Sequence, residues 1–168
     1  MLSRRVIPAA ILLASSLFSW SPHRYQTLFI LEKSTNHNVV HYDARISPDG
    51  ELDPRDPVAV YWIMSDGRRQ DLTLLERLRI YGISVRRSRN RNSFQVALTS
   101  FRERVIDIYR EGDVVRARTT IGGHAAYLVL IYVTVGEPSP WSAAKSIELL
   151  GTDTVTGDKV RETILPGE

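Results

Sequence analysis

A run of seven apolar residues, Val58 to Met64 in DPVAVYWIMSDG, constrains the fold more than any other part of the chain. A proline precedes the run and an Asp-Gly turn signal follows it, so its length suits a strand. In a strand, Val60 and Trp62 point to one face while Tyr61 points to the other. Because both faces are apolar, we expect the core to cover one and the helix that follows in the sequence to cover the other.

A second segment, AAYLVLIYVTV, is built in the same way. Alternation places Tyr127, Val129 and Ile131 opposite Leu128 and Leu130. We therefore expect this segment and the Val58–Met64 run to be the two central strands. In RERVIDIYR and DVVRARTTI, apolar and polar residues alternate, as they do in strands with one face exposed to solvent.

Short strand-like segments recur along the rest of the chain about every ten residues. They are separated by turn signals such as TNHN, PDG, SDG, EGD, GGH and VTG. This spacing indicates an antiparallel meander. The predicted fold is mainly β, an antiparallel up-and-down barrel or sandwich with one short α-helix packed on the sheet.

The helix is predicted over Thr73–Tyr81 in DLTLLERLRIYG. Thr73 and Glu76 have the spacing of a capping box, and Gly82 is a natural C-terminal stop. Its apolar face is expected to lie on the sheet and contains Leu74, Leu75, Leu78 and either Ile80 or Tyr81.

The N-terminal residues have the layout of a secretory signal, with a basic start at Arg4 and Arg5 and an apolar run over Val6–Trp20. We expect residues 1–21 to be a signal peptide and residues 22–168 a single β-rich domain. The alternatives are an uncleaved N-terminal anchor, which would be the chain's only membrane contact, and a twin-arginine signal. In each case the body is exported, to the periplasm or the extracellular space.

Charge and cysteine content exclude several classes of function. The net charge is +3, and removing Arg4 and Arg5 leaves the body close to neutral, so no nucleic-acid partner is predicted. The chain has no cysteine, which excludes disulfides, thiol catalysis and zinc–thiolate sites. No metal or other cofactor is predicted.

Four stretches, HNVVHYDARI, DGELDPRDPVAVYWI, LERLRIYGI and IELLGTDTVTGDKVRE, resemble an uncharacterised family of exported bacterial proteins that is defined by a domain of unknown function. The resemblance spans about Tyr25 to Glu162. The Tyr-Trp-Ile and Tyr-Gly-Ile blocks are its most specific parts. It implies an exported domain of mostly β structure and transfers no site residues.

Histidine and carboxylate residues offer two alternatives for chemistry. His37 and His41 are about 13 Å apart along one strand, too far to share a metal ion. His41 and Asp43 share a face and could form a catalytic pair, although a polar outer face is the plainer interpretation.

The carboxylates of the loop DGELDPRD faintly resemble a calcium loop, but a braced turn explains the same residues: Asp49, Glu51, Asp53 and Asp56. His124 follows a Gly-Gly turn, where a hydrogen-bonded structural role is expected.

Arginine is concentrated on one part of the predicted surface. An anion-binding patch is predicted at Arg86, Arg87, Arg89 and Arg91, since guanidinium groups bind phosphate and carboxylate well. Further arginines precede it at Arg68, Arg69, Arg77 and Arg79. A solvated hairpin in an arginine-rich proteome is the plainer interpretation.

No nucleotide-binding or hydrolase motif occurs in the chain, which disfavours an enzyme without excluding one. The predicted function is non-catalytic binding of a small amphipathic ligand or an envelope component. The ligand-lining residues would be aromatic: Tyr61, Trp62, Tyr81 and Tyr132. The alternatives are an interaction module that uses the arginine patch on anionic lipid, glycan or protein, and a hydrolase or isomerase with a His/Asp site.

Overall fold

The computed structural model describes residues 23–89, 92–136 and 144–165. The predicted signal peptide and its boundary at residue 21 lie outside these residues. The elements, in chain order, are β1 (Arg24–Lys33), β2 (Val39–Ile46), β3 (Val58–Ile63), β4 (Arg69–Asp71), α1 (Leu74–Arg79), β5 (Ile83–Arg87), β6 (Ser93–Leu98), β7 (Phe101–Glu111), β8 (Val114–Ile121), β9 (His124–Val135), β10 (Ala144–Asp153) and β11 (Lys159–Ile164).

The strands form one curled sheet with the order β4-β3-β2-β1-β9-β8-β7-β6-β5, and β10 joins β9 to β11. The sheet curls into a half-barrel. The prediction of a mainly β fold with one short helix is confirmed. The sheet is mixed, however, because β1 and β9 pair in parallel over Ile30–Lys33 and Leu130–Val133. Within residues 23–89, 92–136 and 144–165, no helix has the length and apolar character that crossing a bilayer requires.

Strand β9 has neighbours along both edges, so its predicted central position is correct. It pairs with β10 along nearly its whole length, from Ala126 to Val135. The opposite edge is shared, because β8 pairs with its first part and β1 with its second. Strands β1 and β8 therefore diverge from a common edge of β9.

The predicted alternation of β9 is wrong beyond Leu128. The register of β9 against β10 shifts so that Leu128 faces Gly151 and Leu130 faces Leu150, which leaves Val129 as an extra residue. After this bulge Ile131 lies on the same face as Leu128, and both are in the core. Val129 is exposed instead of covered.

Strand β3 is buried from Val58 to Trp62, as its apolar run predicts. It is not central, because only the short β4 separates it from the end of the sheet. The core covers the face of Val60 and Trp62. The helix lies on this same side, since the Trp62 indole reaches Glu76. The expectation that the core and the helix cover opposite faces of β3 is therefore wrong.

Helix α1 begins with the predicted capping box. The Glu76 amide donates to the Thr73 hydroxyl at 3.3 Å, and the Thr73 amide donates to the Glu76 carboxylate at 2.8 Å. None of the helix residues is buried. The expected burial of its leucines is wrong, because Leu74, Leu75 and Leu78 are exposed. The helix instead contacts the body through Glu76 and through the residues that follow it, Ile80 and Tyr81.

Candidate functional site

A cleft of about 320 Å³ opens where the end of β1, strand β3 and helix α1 meet. Its walls combine aromatic, aliphatic and polar side chains. The lining residues are Lys33, Asn36, Asn38, Trp62, Met64, Gln70, Leu75, Glu76, Ile80 and Tyr81. This mixed lining suits a small ligand that has both an apolar and a polar part.

Two of the predicted aromatic residues form one wall of the cleft. The rings of Trp62 and Tyr81 meet edge to face, with centroids 4.9 Å apart and an interplanar angle of 76°. The Trp62 indole donates to the Glu76 carboxylate at 3.2 Å. The Tyr42 hydroxyl donates to the Tyr81 carbonyl at 2.8 Å in the buried core beneath. The wall is therefore held from both sides.

Lys33 supplies a cation to the same wall. Its Nζ lies 5.0 Å from the Tyr81 ring centroid and 5.7 Å from that of Trp62, within the range of cation–π attraction. Burial lowers the pKa of Lys33 from its ordinary value, and the negative charge of Glu76 only partly opposes this effect. The cleft thus holds a poorly hydrated ammonium group that an anion would stabilise.

The turn after α1 places Tyr81 against the sheet. The amides of Ile80 and Tyr81 both donate to the Glu76 carbonyl, which ends the helix. Gly82 follows in close approach to the helix, because a Cβ there would overlap the Arg77 carbonyl oxygen. The Thr99 amide donates to the Gly82 carbonyl at 2.8 Å, which fixes the turn to the end of β6. The predicted stop at Gly82 is therefore enforced by packing.

The four predicted ligand residues do not all meet in this cleft. Tyr132 lines a neighbouring cavity of about 390 Å³, on the other side of the β1–β2 turn. The two cavities share Lys33, Asn36 and Asn38 as walls. Tyr61 lies on the opposite face of β3 from Trp62. A ligand-binding role for these aromatic residues stays a prediction.

Tyr61 belongs to a polar cluster on the outer face of the sheet. Its hydroxyl donates to the buried Asp43 carboxylate, and its ring stacks on His41 with centroids 5.7 Å apart. The Arg69 guanidinium lies 3.7 Å from the Tyr61 ring centroid and covers it. Burial and the bond to Asp43 raise the pKa of Tyr61 to about 12. The cluster explains how an outward-facing tyrosine is shielded from water.

His41 and Asp43 lie in this cluster but do not form the bridged pair that general-base catalysis requires. His41 Nδ1 is 3.7 Å from Asp43 Oδ1, beyond hydrogen-bond distance. The other carboxylate oxygen is taken by Tyr61. The arrangement therefore favours a structural polar cluster over the catalytic alternative.

Three residues of the predicted arginine patch are described, and Arg91 lies outside the described residues. Arg86, Arg87 and Arg89 are exposed on or just after β5, which is an edge strand of the sheet. Within residues 23–89, 92–136 and 144–165, none of the three has an ion-pair partner. Charge on an edge strand also opposes pairing with another sheet. Anion binding at this patch stays a prediction.

Asp49, Asp53 and His124 form structural hydrogen bonds. Asp53 accepts from the Arg55 amide at 2.9 Å and Asp49 from the Glu51 amide at 3.1 Å, which is the bonding of a braced turn. His124 Nδ1 lies 2.9 Å from Asp153, in the structural role expected for it. His37 is among the residues that line the cavity of Tyr132.

A wider cavity of about 630 Å³ lies between β6, β7 and β8, far along the sheet from the cleft. Its charged side chains bond to one another and to nearby backbone. Arg118 lies 3.6 Å from Asp107, and Arg110 donates to the Gly112 carbonyl at 2.7 Å. These satisfied polar walls suit an amphipathic ligand less well than the mixed walls of the cleft.

Sequence reasoning missed the polar half of the cleft. Lys33 ends β1, and Asn36 and Asn38 belong to the turn that follows, where such residues are ordinary and carry no distinctive spacing. Glu76 was identified only as a capping residue, although it also binds the Trp62 indole. The sequence does offer one signal for this half of the cleft, which is a lysine directly before a turn in a chain that is otherwise rich in arginine.

The chain matches the model of a protein family. The model of a family described as a domain of unknown function (DUF4833) matches residues 29–163. No curated protein and no solved structure matches the chain. The match confirms the resemblance to a domain of unknown function inferred from the sequence.

Proposed function

The chain belongs to the DUF4833 family, a domain of unknown function, and we propose that it is a non-catalytic binding module for a small amphipathic ligand with an anionic head. The ligand would occupy the cleft between β3 and α1. The observation that carries the proposal is the partly buried Lys33 ammonium, which lies over the Trp62 and Tyr81 rings beside aliphatic walls.

The head group is inferred from the charge of the cleft. Desolvation makes the Lys33 ammonium less stable than in water, and the nearby Glu76 only partly compensates. A carboxylate or phosphate on the ligand would supply the missing partner in a site of low dielectric. Asn36, Asn38 and Gln70 add neutral donors around the same position.

The apolar part of the ligand is inferred from the aliphatic residues that line the cleft. Met64 and Ile80 are partly buried against the core, and Leu75 is 45% exposed at the rim. A hydrocarbon tail here would remove apolar surface from water, which is the main favourable term in such binding. The volume of about 320 Å³ suits a small molecule.

The proposal includes an exported location, supported by the layout of residues 1–21. Native mass spectrometry of the protein purified from its producing cells tests both parts together. We expect a chain shortened by about the predicted signal peptide and carrying a small acidic amphiphile. A full-length chain would contradict export through a cleaved signal.

Defined probes test the cleft directly by isothermal titration calorimetry, below their micelle concentrations. Sodium decanoate should bind more tightly than decyltrimethylammonium or decyl glucoside. Lys33→Met should weaken decanoate binding about tenfold or more, the effect of losing a charged hydrogen-bond partner.

A matched pair of leucines on α1 provides the control. Leu75 lines the cleft whereas its neighbour Leu74 does not. Leu75→Gln should weaken decanoate binding about tenfold, while Leu74→Gln should leave it unchanged. Equal effects of the two substitutions, or equal affinity for the anionic and cationic probes, would contradict the proposal.

A further inference from the structure

We propose that helix α1 docks on an anionic lipid surface through a leucine ridge, defined as Leu74, Leu75 and Leu78. The exposed fractions of these side chains are 72%, 45% and 61%. Leucine is among the residues most often buried, and three exposed within one short helix form a contiguous apolar feature. This inference does not depend on the proposed ligand.

The charges of the helix are arranged around this ridge. At about 100° per residue, the three leucines span roughly 100° of the helix circumference. Arg79 lies beyond Leu75 on one side of the ridge, and Arg77 lies beyond Leu74 on the other. Both arginines are exposed, and neither has an ion-pair partner among the residues described. An apolar ridge with flanking cations is the pattern of an interfacial helix.

The opposite side of the helix is fixed to the domain. Glu76 lies there, where it accepts from the Trp62 indole at 3.2 Å and from the Thr73 amide at 2.8 Å. Tyr81, just beyond the helix, is held through its carbonyl by Tyr42. Because these hydrogen bonds fix the Glu76 side of the helix to the domain, the leucine ridge faces outward.

Charge favours a lipid surface over a second copy of this chain. In a symmetric dimer through the ridge, Arg77 and Arg79 of one copy would face those of the other, and like charges would repel. Anionic head groups instead attract both arginines while the leucines enter the acyl boundary. A convex ridge also needs no complementary groove in a fluid interface.

The absence of cysteine allows a site-specific test on the full chain. Leu74→Cys is labelled with the polarity-sensitive dye NBD, and Val155→Cys, in the β10–β11 turn and 91% exposed, is labelled as the matched control. Each is mixed with vesicles of phosphatidylglycerol and phosphatidylcholine, and with vesicles of phosphatidylcholine alone. Because the readout is local, vesicle contact through the N-terminal segment does not imitate it.

With the anionic vesicles, we expect the NBD emission at position 74 to shift to the blue and to brighten. The NBD emission at position 155 should not change. Arg77→Gln and Arg79→Gln should each weaken the response about fivefold, the contribution of one basic residue near an anionic surface. Lys33→Met should leave it unchanged, which separates docking from the proposed ligand site.

Three results would overturn the inference. The first is no change at position 74 with anionic vesicles, and the second is an equal change at positions 74 and 155. The third is a change at position 74 that grows with protein concentration in the absence of vesicles, which would identify a second copy as the occupant.

Discussion

Lys33 is the residue on which the chemistry of the cleft depends. Its ammonium lies over two aromatic rings, and burial lowers its pKa despite the nearby Glu76. The folded state therefore holds the protonated lysine less favourably than the unfolded state does. This cost is present at pH values below the folded pKa and disappears as pH rises toward the ordinary value of 10.5.

Replacing this lysine should therefore not destabilise the ligand-free protein. We expect Lys33→Met to unfold at pH 7 at the same temperature as the wild type or a higher one, because the substitution removes a poorly solvated charge. The advantage should shrink as pH approaches the ordinary lysine value. Differential scanning calorimetry between pH 7 and 10.5 measures this.

The exposed Lys159 provides the control, since Lys159→Met should leave the melting temperature at pH 7 unchanged. A clear drop in the melting temperature of Lys33→Met at pH 7 would show that the lysine stabilises the empty cleft.

At the scale of elements, the Gln26 side chain bridges β1 and β8 where the two strands diverge. Gln26 of β1 donates to the Val115 carbonyl at 2.7 Å, and the Val115 amide donates back to Gln26 at 3.0 Å. The amide side chain thereby imitates the backbone of a missing neighbouring strand. It closes the gap where the two strands leave their common edge on β9.

We expect Gln26→Met to lower the free energy of unfolding by about 2 kcal/mol, since both Val115 backbone groups lose their partner. Urea denaturation measures the difference. Gln95→Met is the matched control, because the Gln95 side chain donates to the exposed Asp107 side chain, and its cost should stay below about 0.5 kcal/mol. An equal loss of unfolding free energy in the two variants would show that the Gln26 bonds do not stabilise the sheet.

The elements also show how far the sequence predicts this fold. Strand positions, the capping box at Thr73 and the burial of both faces of β3 follow from local patterns. The bulge at Val129 does not, because it depends on the partner Gly151, where a Cβ would overlap the Tyr127 carbonyl oxygen. The exposure of the leucine ridge could not be predicted from the sequence either. Helical spacing identifies an apolar face of a helix, but it does not show whether another part of the protein covers that face.

The candidate site was only half predictable for the same physical reason. Trp62 and Tyr81 could be selected as large aromatic residues, but whether they meet depends on the turn at Gly82 and on the Tyr42 hydroxyl beneath Tyr81. Tyr61 and Trp62 are adjacent in sequence and lie on opposite faces of β3. Lys33 comes near Trp62 because β1 and β3 both pair with β2, which no local sequence pattern reveals.

At the scale of the whole molecule, three buried phenols lie in β2, in β3 and in the turn after α1. Burial raises the pKa of Tyr81 to about 12, with a contribution from Glu76, and that of Tyr61 also to about 12, with a contribution from Asp43. Burial raises the pKa of Tyr42 still further. In the unfolded chain these phenols ionise near their ordinary value of 10.0.

The stability contributed by these tyrosines is therefore complete below pH 10 and is lost as pH rises toward 12. Each should steepen the fall in the free energy of unfolding by up to about 1.4 kcal/mol per pH unit. Urea denaturation at successive pH values measures this slope. Tyr81→Phe should make this slope shallower by the contribution of one phenol, and an unchanged slope would contradict the prediction.

The most direct measurement of the central claim is the indole ¹H–¹⁵N resonance of Trp62 during titration with decanoate, assigned by comparison with Trp62→Phe. A ligand in the cleft would change the ring environment and the bond from the indole to Glu76. We expect a saturable shift of this resonance that Lys33→Met weakens and Leu74→Gln does not. Saturable decanoate binding with the Trp62 resonance unmoved would contradict it.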